Sequence, residues 1–193
     1  MAAKFITFAN RKGGVGKTTS AVYIATILSR FGKVLLKDCD PQGSATEWLE
    51  DIDDLPFDFE LANLRNMKRA ENYDYVVIDT PPHNPDIINA AVKAADLVII
   101  PSEASSMELS GAYALFDAMK PEALRIVLLT RVNTITNSFK DAKAELDKER
   151  IPRFKTHISK SEAIKNSFGK IPNQVKELRE YEALVEEIKE LIE

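Results

Sequence analysis

A run of lysines and glycines near the start of the chain has the composition of a loop that binds phosphate. It reads Lys12-Gly13-Gly14-Val15-Gly16-Lys17-Thr18-Thr19 and follows the apolar stretch 5–9. Glycines let the backbone curl so that its N–H groups point at phosphate oxygens, and a following helix turns its positive end toward the same anion. Lys17 would reach the β- and γ-phosphates, and the Thr18 hydroxyl would ligate Mg²⁺. The run therefore predicts a nucleotide site between a strand and a helix.

The loop departs from the usual phosphate-loop pattern at its opening. Arg11 occupies the first glycine position of G-x-x-x-x-G-K-[ST], and Lys12 follows it as a second lysine. A lysine there can point away from its own nucleotide, and phosphoryl transfer often takes positive charge from a neighbouring subunit. This favours a homodimer that forms on ATP binding, with each Lys12 reaching the phosphates of the other copy. The alternative is that Lys12 is a solvated loop residue.

Two further boxes follow the phosphate loop along the chain. They read Asp38-Cys39-Asp40-Pro41-Gln42-Gly43-Ser44-Ala45 and Val76-Val77-Ile78-Asp79-Thr80-Pro81-Pro82. Residues 10–19 resemble the deviant Walker A box of the ParA/MinD superfamily. The first of the two further boxes resembles its A′ box and the second its Walker B box, and all three occur in the order and spacing of that family. The resemblance extends through most of the chain and implies a P-loop ATPase that uses ATP/ADP and Mg²⁺.

The resemblance also implies the roles of single residues. Lys12, Lys17 and Asp40 would be catalytic, with Asp40 orienting the attacking water. Thr18, Asp40 and Asp79 would hold Mg²⁺. A carboxylate at the end of an apolar strand is costly unless it meets a cation, although Asp79 could instead cap the next turn. The ATP phosphates would be bound by Lys12, Gly13, Gly14, Val15, Gly16, Lys17, Thr18 and Thr19.

Residues that follow a later apolar stretch are candidates for holding adenine. Arg131 and Asn133 come directly after 126–130, where relatives hold the base. Asn133 could read the edge of the adenine. Arg131 could stack on the ring or pair with an acid elsewhere, and both alternatives stay open at this point.

Composition limits the class of protein. The chain has 193 residues, of which 45% are apolar, enough for one domain with a full core. Its one cysteine rules out an internal disulfide framework, and no apolar run approaches ~20 residues, so we expect a cytoplasmic protein without a membrane span. Only nine residues precede Asn10. We therefore predict one ATPase domain over 1–193 without an N-terminal helix-turn-helix domain, similar to the small ParF-like partition proteins.

Charge is unevenly distributed along an acidic chain. The net charge is −4, yet residues 148–176 contain eight basic residues against two acidic ones. A basic patch on an acidic body suits sequence-independent binding to DNA phosphates, with Lys160 and Lys165 as predicted contacts. The alternative is a solvated, lysine-rich surface.

Apolar strands alternate with amphipathic helices, which is typical of an α/β fold. The unalternated strands favour a mostly parallel, twisted sheet, buried on both faces by helices. Gly32 is expected to cap the first helix. The predicted strands are Lys4–Ala9, Lys33–Lys37, Tyr75–Ile78, Leu97–Pro101, Arg125–Thr130 and Pro152–Lys155. The predicted helices are Thr18–Phe31, Pro85–Ala95, Glu108–Met119, Phe139–Glu149 and Gln174–Ile192.

The last predicted helix distinguishes between two kinds of relative. From Glu177 onward it carries seven acids and two bases. MinD-like proteins end in a helix that binds anionic lipid, which requires a basic polar face. An acidic face would be repelled, so we expect no membrane binding and a helix that docks on the sheet.

Together these features predict an ATPase that acts in plasmid or chromosome partition. ATP would drive dimer formation and non-specific DNA binding at the nucleoid. A centromere-binding adaptor of the ParB/ParG kind would then stimulate hydrolysis and release the dimer. One alternative is a ParA-like ATPase that positions a non-DNA cargo. Another is an ATP-dependent metabolic ligase of the dethiobiotin-synthetase type, which would lack the 38–45 box.

Overall fold

A six-stranded parallel sheet forms the centre of the computed structural model, which describes residues 2–118, 123–172 and 178–193. The strand order is β3-β2-β4-β1-β5-β6. The strands are β1 (Lys4–Phe8), β2 (Val34–Asp38), β3 (Asp58–Leu61), β4 (Tyr75–Asp79), β5 (Leu97–Glu103) and β6 (Leu124–Thr130). The helices are α1 (Lys17–Leu28), α2 (Ser44–Leu49), α3 (Pro85–Ala94), α4 (Ser106–Ala118), α5 (Asn137–Lys148), α6 (Glu162–Lys165) and α7 (Leu178–Ile192).

Helices cover both faces of the sheet, as the strand composition predicts. Every residue of β2 and β4 is buried, because a parallel strand between two helical layers has no solvent face. Helices α1, α2 and α7 share one apolar cluster with the sheet. Helices α3, α4 and α5 pack on the opposite face. The predicted fold class, an α/β P-loop architecture in one domain, is confirmed.

The strand register aligns the carboxyl ends of three central strands. Phe8 of β1 lies beside Asp79 of β4, and Asp79 lies beside Asp38 of β2. In an open parallel sheet, ligands bind beyond the carboxyl ends of the strands. The loops after β1, β2 and β4 therefore meet at one edge, and they contain the three sequence boxes.

The edges of the sheet differ from the prediction. The predicted strand Pro152–Lys155 is wrong, because this segment pairs with β6 only at one isolated bridge, between Val127 and Arg153. The Pro152 carbonyl accepts from the Val127 N–H, and the Phe154 N–H donates to the Val127 carbonyl, but Pro152 has no N–H of its own to extend the ladder. The opposite edge strand, β3, was missed because its Asp-Phe-Glu-Leu sequence is half exposed and polar.

The last helix, α7, docks on α1. From the sequence, it was predicted to dock on the sheet. The Tyr181 ring lies 4.4 Å from that of Tyr23, and its hydroxyl bonds Ser20 at 3.1 Å. The predicted start of this helix, from Gln174, lies outside the described residues. Within the described part of the chain, no helix is long and apolar enough to cross a bilayer.

Gly32 follows the end of α1 as predicted, where its N–H donates to the Leu28 carbonyl at 3.2 Å, and it also has a packing role. Helix α1 ends at Leu28, and Gly32 lies against Asp74, whose side chain and backbone bond the neighbouring Lys33. A Cβ on Gly32 would come within 2.7 Å of Asp74 Oδ2 and 2.9 Å of its Cβ. The position is therefore a close contact between two chain segments.

We expect Gly32→Ala to lower the free energy of unfolding by about 1–3 kcal/mol, because Asp74 is held on two sides and must move. Gly111→Ala is the matched control: this glycine lies in α4 with no atom within 4 Å of an added Cβ. There the same change should stabilise by about 0.5–1 kcal/mol. Denaturant unfolding without nucleotide measures both, and equal effects at the two glycines would contradict the packing role.

Candidate functional site

The loop after β1 forms an open cradle at the start of α1. Gly14 and Gly16 adopt left-handed conformations, with φ of 77° and 90°. Gly16 is the N-cap of α1, and no side chain caps the helix there. The first N–H groups of α1 are thus left to bind a ligand, and a helix N-terminus with free N–H groups favours an anion.

Lys17 closes this cradle from within. It is buried, and its Nζ donates to the carbonyl oxygen of Lys12 at 2.9 Å. Burial lowers the pKa of Lys17, while the nearby Asp79 and Asp40 act in the opposite direction. A cavity of about 220 Å³ lies here, lined by Gly13, Gly14, Gly16, Lys17, Thr18, Thr19, Asp40, Ser44, Thr80, Pro82 and Arg131. The structure thus brings most of the predicted phosphate-loop residues to one cavity with Asp40.

Asp79 and Thr18 fit a magnesium site. Thr18 Oγ1 donates to Asp79 Oδ2 at 2.6 Å. The second carboxylate oxygen of Asp79 is buried and has no hydrogen-bond partner among the described residues. Mg²⁺ prefers oxygen ligands and is commonly held through one or two carboxylates together with substrate phosphates. An unpartnered carboxylate oxygen beside a hydroxyl is consistent with that chemistry.

Burial raises the pKa of Asp79 from 3.8 to about 7, with Asp38 and Asp40 adding to the shift and Thr18 and Lys17 opposing it. Between these pH values the folded chain holds a proton that the unfolded chain has lost. The contribution of Asp79 to stability is therefore largest at low pH and falls as the pH rises through this window. A cation beside Asp79 would reverse this by favouring the charged form.

We expect Asp79→Asn to stabilise the metal-free protein at pH 8 by about 1 kcal/mol or more, because no buried carboxylate has to ionise. The variant should also lose the decline in stability between pH 5 and pH 8. Denaturant unfolding in EDTA measures both, with Asp51→Asn as an exposed acidic control. An unchanged pH slope in Asp79→Asn would show that Asp79 does not carry the titration.

The two acids of the A′ box have different environments. Asp38 is fully buried and accepts hydrogen bonds from the Asp40 N–H, the Thr46 N–H and Thr46 Oγ1 at 2.8–3.0 Å. Asp40 is partly exposed, accepts from the Gln42 N–H at 2.9 Å, and faces the phosphate cavity. Asp38 therefore holds the loop, and Asp40 is the carboxylate that a ligand can meet.

Lys12 lies outside the cradle and contacts another element. Its side chain is 53% exposed, and its Nζ donates to Glu108 Oε1 in the first turn of α4. Asn10 supports this geometry, since its Oδ1 accepts from the Lys12 N–H and its Nδ2 donates to the Pro101 carbonyl. The pairing of Glu108 with Lys12 was not predicted, because the two residues lie 96 positions apart in the chain.

A second cavity, of about 550 Å³, adjoins the phosphate loop. Arg131 lies at the junction of the two cavities, with its guanidinium 3.2 Å from Glu103. Asn133 lines neither cavity, and its Oδ1 accepts from the Ile135 N–H. The larger cavity is lined by Gly16, Thr19, Trp48, Glu103, Thr130, Arg131, Ile158, Ser159, Lys160, Ser161, Glu162, Ile164, Lys165, Phe168 and Tyr181. Its size and its position beside the phosphate loop suit a nucleoside.

The two lysines predicted to bind DNA, Lys160 and Lys165, both line this larger cavity. Two aromatic residues that line it, Trp48 and Phe168, were not predicted as site residues. Trp48 and Phe168 lie 5.3 Å apart, and Trp48 Nε1 donates to the Lys170 carbonyl. Trp48 lies in α2, far from Phe168 in the sequence. Only the fold brings it to the cavity.

Acids from other elements reach the basic segment 148–176. Asp147 binds Arg153 through two hydrogen bonds of 2.9 Å. Glu187 of α7 accepts from the N–H groups of 155 and 156, and Glu180 accepts from the N–H and hydroxyl of Ser159. The segment is therefore less positive in the folded protein than along the sequence.

Known proteins resemble this chain in sequence and in fold. The family model described as the CobQ/CobB/MinD/ParA nucleotide binding domain matches residues 6–193. Maintenance of carboxysome distribution protein A of Gloeobacter kilaueensis is 34% identical, covering 80% of this chain and 76% of that protein. Sporulation initiation inhibitor protein Soj of Bacillus subtilis is 30% identical, covering 69% and 75% respectively. A plasmid partition protein of Borrelia burgdorferi, solved with AMPPNP bound, superposes with a TM-score of 0.78 at 26% identity, covering 98% of this chain and 100% of that one.

Proposed function

The chain belongs to the CobQ/CobB/MinD/ParA nucleotide-binding family, and we propose that it is a Mg²⁺-dependent ATPase that acts as a nucleotide-controlled partition switch. ATP binding joins two copies, the dimer binds DNA without sequence specificity, and a centromere-binding adaptor protein stimulates hydrolysis. The observation that carries this proposal is the different placement of the two loop lysines. Lys17 lies inside the phosphate cavity, while Lys12 lies outside it on an exposed face.

The residues around the cavity suit hydrolysis of a phosphoanhydride. Lys17 supplies a buried positive charge to the phosphates, and the glycine-rich backbone supplies N–H donors. Asp40 accepts a hydrogen bond from the attacking water and fixes its line to the γ-phosphate. Thr18 and Asp79 would hold Mg²⁺, which would supply positive charge to neutralise the phosphate oxygens. The AMPPNP bound to the Borrelia burgdorferi protein supports ATP as the nucleotide.

The edge of the sheet that carries the phosphate loop suits contact with a second copy. Several large apolar side chains at the end of β3, in the loops and at the start of α4 are exposed: Leu61, Leu64, Met107, Ile135 and Phe168. Exposed apolar side chains around a charged site are typical of a surface that a partner covers. A second copy placed here would bring its own Lys12 to the phosphates of the first.

Exposed bases on the 148–165 segment support the DNA part of the proposal. Lys148, Arg150, Lys155 and Lys160 are exposed, and none has an acidic partner within 4 Å among the described residues. Such side chains can release counterions from DNA phosphates without first breaking an ion pair. Lys165, by contrast, lies 3.7 Å from Glu162.

A second candidate function is the positioning of a cargo other than DNA. It is favoured by the 34% identity to the carboxysome distribution protein. The same nucleotide switch and the same site residues would serve both functions. The two differ in the adaptor and cargo that the dimer engages, so a neighbouring adaptor gene or a captured partner would separate them.

The test is binding to a random-sequence duplex with Mg·AMPPNP, Mg·ADP or no nucleotide, at two salt concentrations. We expect binding only with AMPPNP, weakening steeply with salt. The combined replacement of Lys148, Arg150 and Lys155 by alanine should reduce binding, while Lys93→Ala, an exposed lysine on α3, should not. Nucleotide binding without DNA binding in any state would overturn the DNA part of the proposal.

A further inference from the structure

Lys12 is held by a buried carboxylate before any partner is present. Its ammonium donates to Glu108 Oε1, and the two residues lie 96 positions apart in the chain. The Glu108 side chain is only 9% exposed, against 53% for Lys12. One partner of this ion pair is therefore fixed in the protein, and the other can swing out into solvent.

The surroundings of Glu108 make it depend on Lys12. Among the described residues, Lys12 is the only cation within 4 Å of this carboxylate. The neighbouring Met107 is 75% exposed and belongs to the apolar edge described above. Covering this edge with a second copy would exclude water around Glu108. A carboxylate left there without its cation is strongly disfavoured.

We propose that Glu108 is a positioning residue that restrains Lys12 within its own chain and so sets the ATP concentration at which two copies join. This inference rests on the proposed function, because it assumes that Lys12 acts across a dimer. To reach the phosphates of the other copy, Lys12 must leave Glu108. The lost ion pair opposes dimer formation until the negative charge of ATP outweighs it.

The variant Glu108→Gln tests this restraint. It keeps the shape of the side chain and an oxygen that accepts a hydrogen bond, but it removes the charge that holds Lys12. We expect the concentration of Mg·AMPPNP that gives half-maximal dimer, measured by sedimentation velocity, to fall by about tenfold. Asp117→Asn, an exposed acid on the same helix, should leave this concentration unchanged.

A second measurement reports on Lys12 directly in the nucleotide-free monomer. Trace acetylation followed by mass spectrometry gives the labelling rate of each lysine. Lys12 should be labelled faster in Glu108→Gln than in the wild type, while Lys93 should be labelled at the same rate in both. If Glu108 only stabilised the fold, its replacement would change the labelling rates of several lysines and not that of Lys12 selectively.

The outcomes separate this inference from the proposed function. If the wild type forms a dimer and Glu108→Gln needs as much AMPPNP or more, only the restraint is wrong. Unchanged labelling of Lys12 overturns it too. If neither protein forms a dimer while both bind AMPPNP, the proposed dimer is wrong and the restraint with it. If only the variant forms a dimer, the restraint is supported in its strongest form.

Discussion

Replacing Lys17 with alanine is expected to abolish measurable ATP hydrolysis and to weaken ATP binding by about 10- to 100-fold. In the nucleotide-free protein, the buried Lys17 ammonium bonds a neutral carbonyl oxygen, that of Lys12. A phosphate oxygen carries negative charge and forms a stronger, charge-assisted bond with the same ammonium. The Lys17 ammonium should therefore leave the carbonyl and bond the phosphate when the nucleotide binds. An alanine has no group that can form this bond.

Titration with a fluorescent ATP analogue and an assay of phosphate release measure the two effects of Lys17→Ala. Lys93→Ala is the control, since Lys93 is an exposed lysine on α3, away from the cavity. The rise in unfolding temperature on adding Mg·ATP gives an independent check of binding. It should match the wild type in Lys93→Ala and be smaller in Lys17→Ala. Wild-type ATP affinity in Lys17→Ala would contradict the assigned phosphate contact.

The second large effect is expected at Asp40. Asp40→Asn should slow ATP hydrolysis by about 10²–10⁴-fold, because an amide is a much weaker acceptor for the proton of the attacking water. ATP binding should change little, since Lys17 and the loop N–H groups remain in place. The variant should therefore accumulate in its ATP-bound state, and single-turnover assays should show bound ATP that persists.

The neighbouring acid provides a matched comparison for Asp40. Asp38→Asn removes one of the acceptors that hold the loop, because Asp38 takes three hydrogen bonds from Asp40 and Thr46. We expect it to lower the free energy of unfolding by about 1–3 kcal/mol. Asp40→Asn should leave the free energy of unfolding close to that of the wild type. Loss of stability at Asp40, or loss of hydrolysis alone at Asp38, would reverse the two roles.

Local spacing along the chain predicted that the loop after β1 would line one cavity. Lys12, Gly16 and Thr18 lie within seven positions of one another, so the chain keeps them close. A glycine-rich loop between a strand and a helix can adopt few backbone conformations other than one that binds phosphate. The same holds for Asp79, whose place at the end of an apolar strand predicted a buried carboxylate. Residues close in sequence stay close in any fold, which is why these predictions could be made.

Contacts between distant segments could not be predicted in this way. The strand order places the carboxyl ends of β2 and β4 side by side, so that Asp38 and Asp79 become neighbours. The pairing of Lys12 with Glu108 depends on where α4 begins after β5. The larger cavity also needs Trp48 and Phe168 to meet, and they lie far apart in the sequence. No local pattern of residues marks any of these pairs.

By itself, the sequence determined the parallel α/β fold, and it predicted the phosphate loop and the residues that would meet a nucleotide and Mg²⁺. Only the tertiary structure decided which groups Asp38 binds, what holds Lys12, and how far acids of α7 offset the basic segment. The physical reason is the distance along the chain over which each kind of interaction acts. Backbone preferences and motif spacing act over a few residues, whereas burial and ion pairing depend on neighbours that strand order and helix packing bring together.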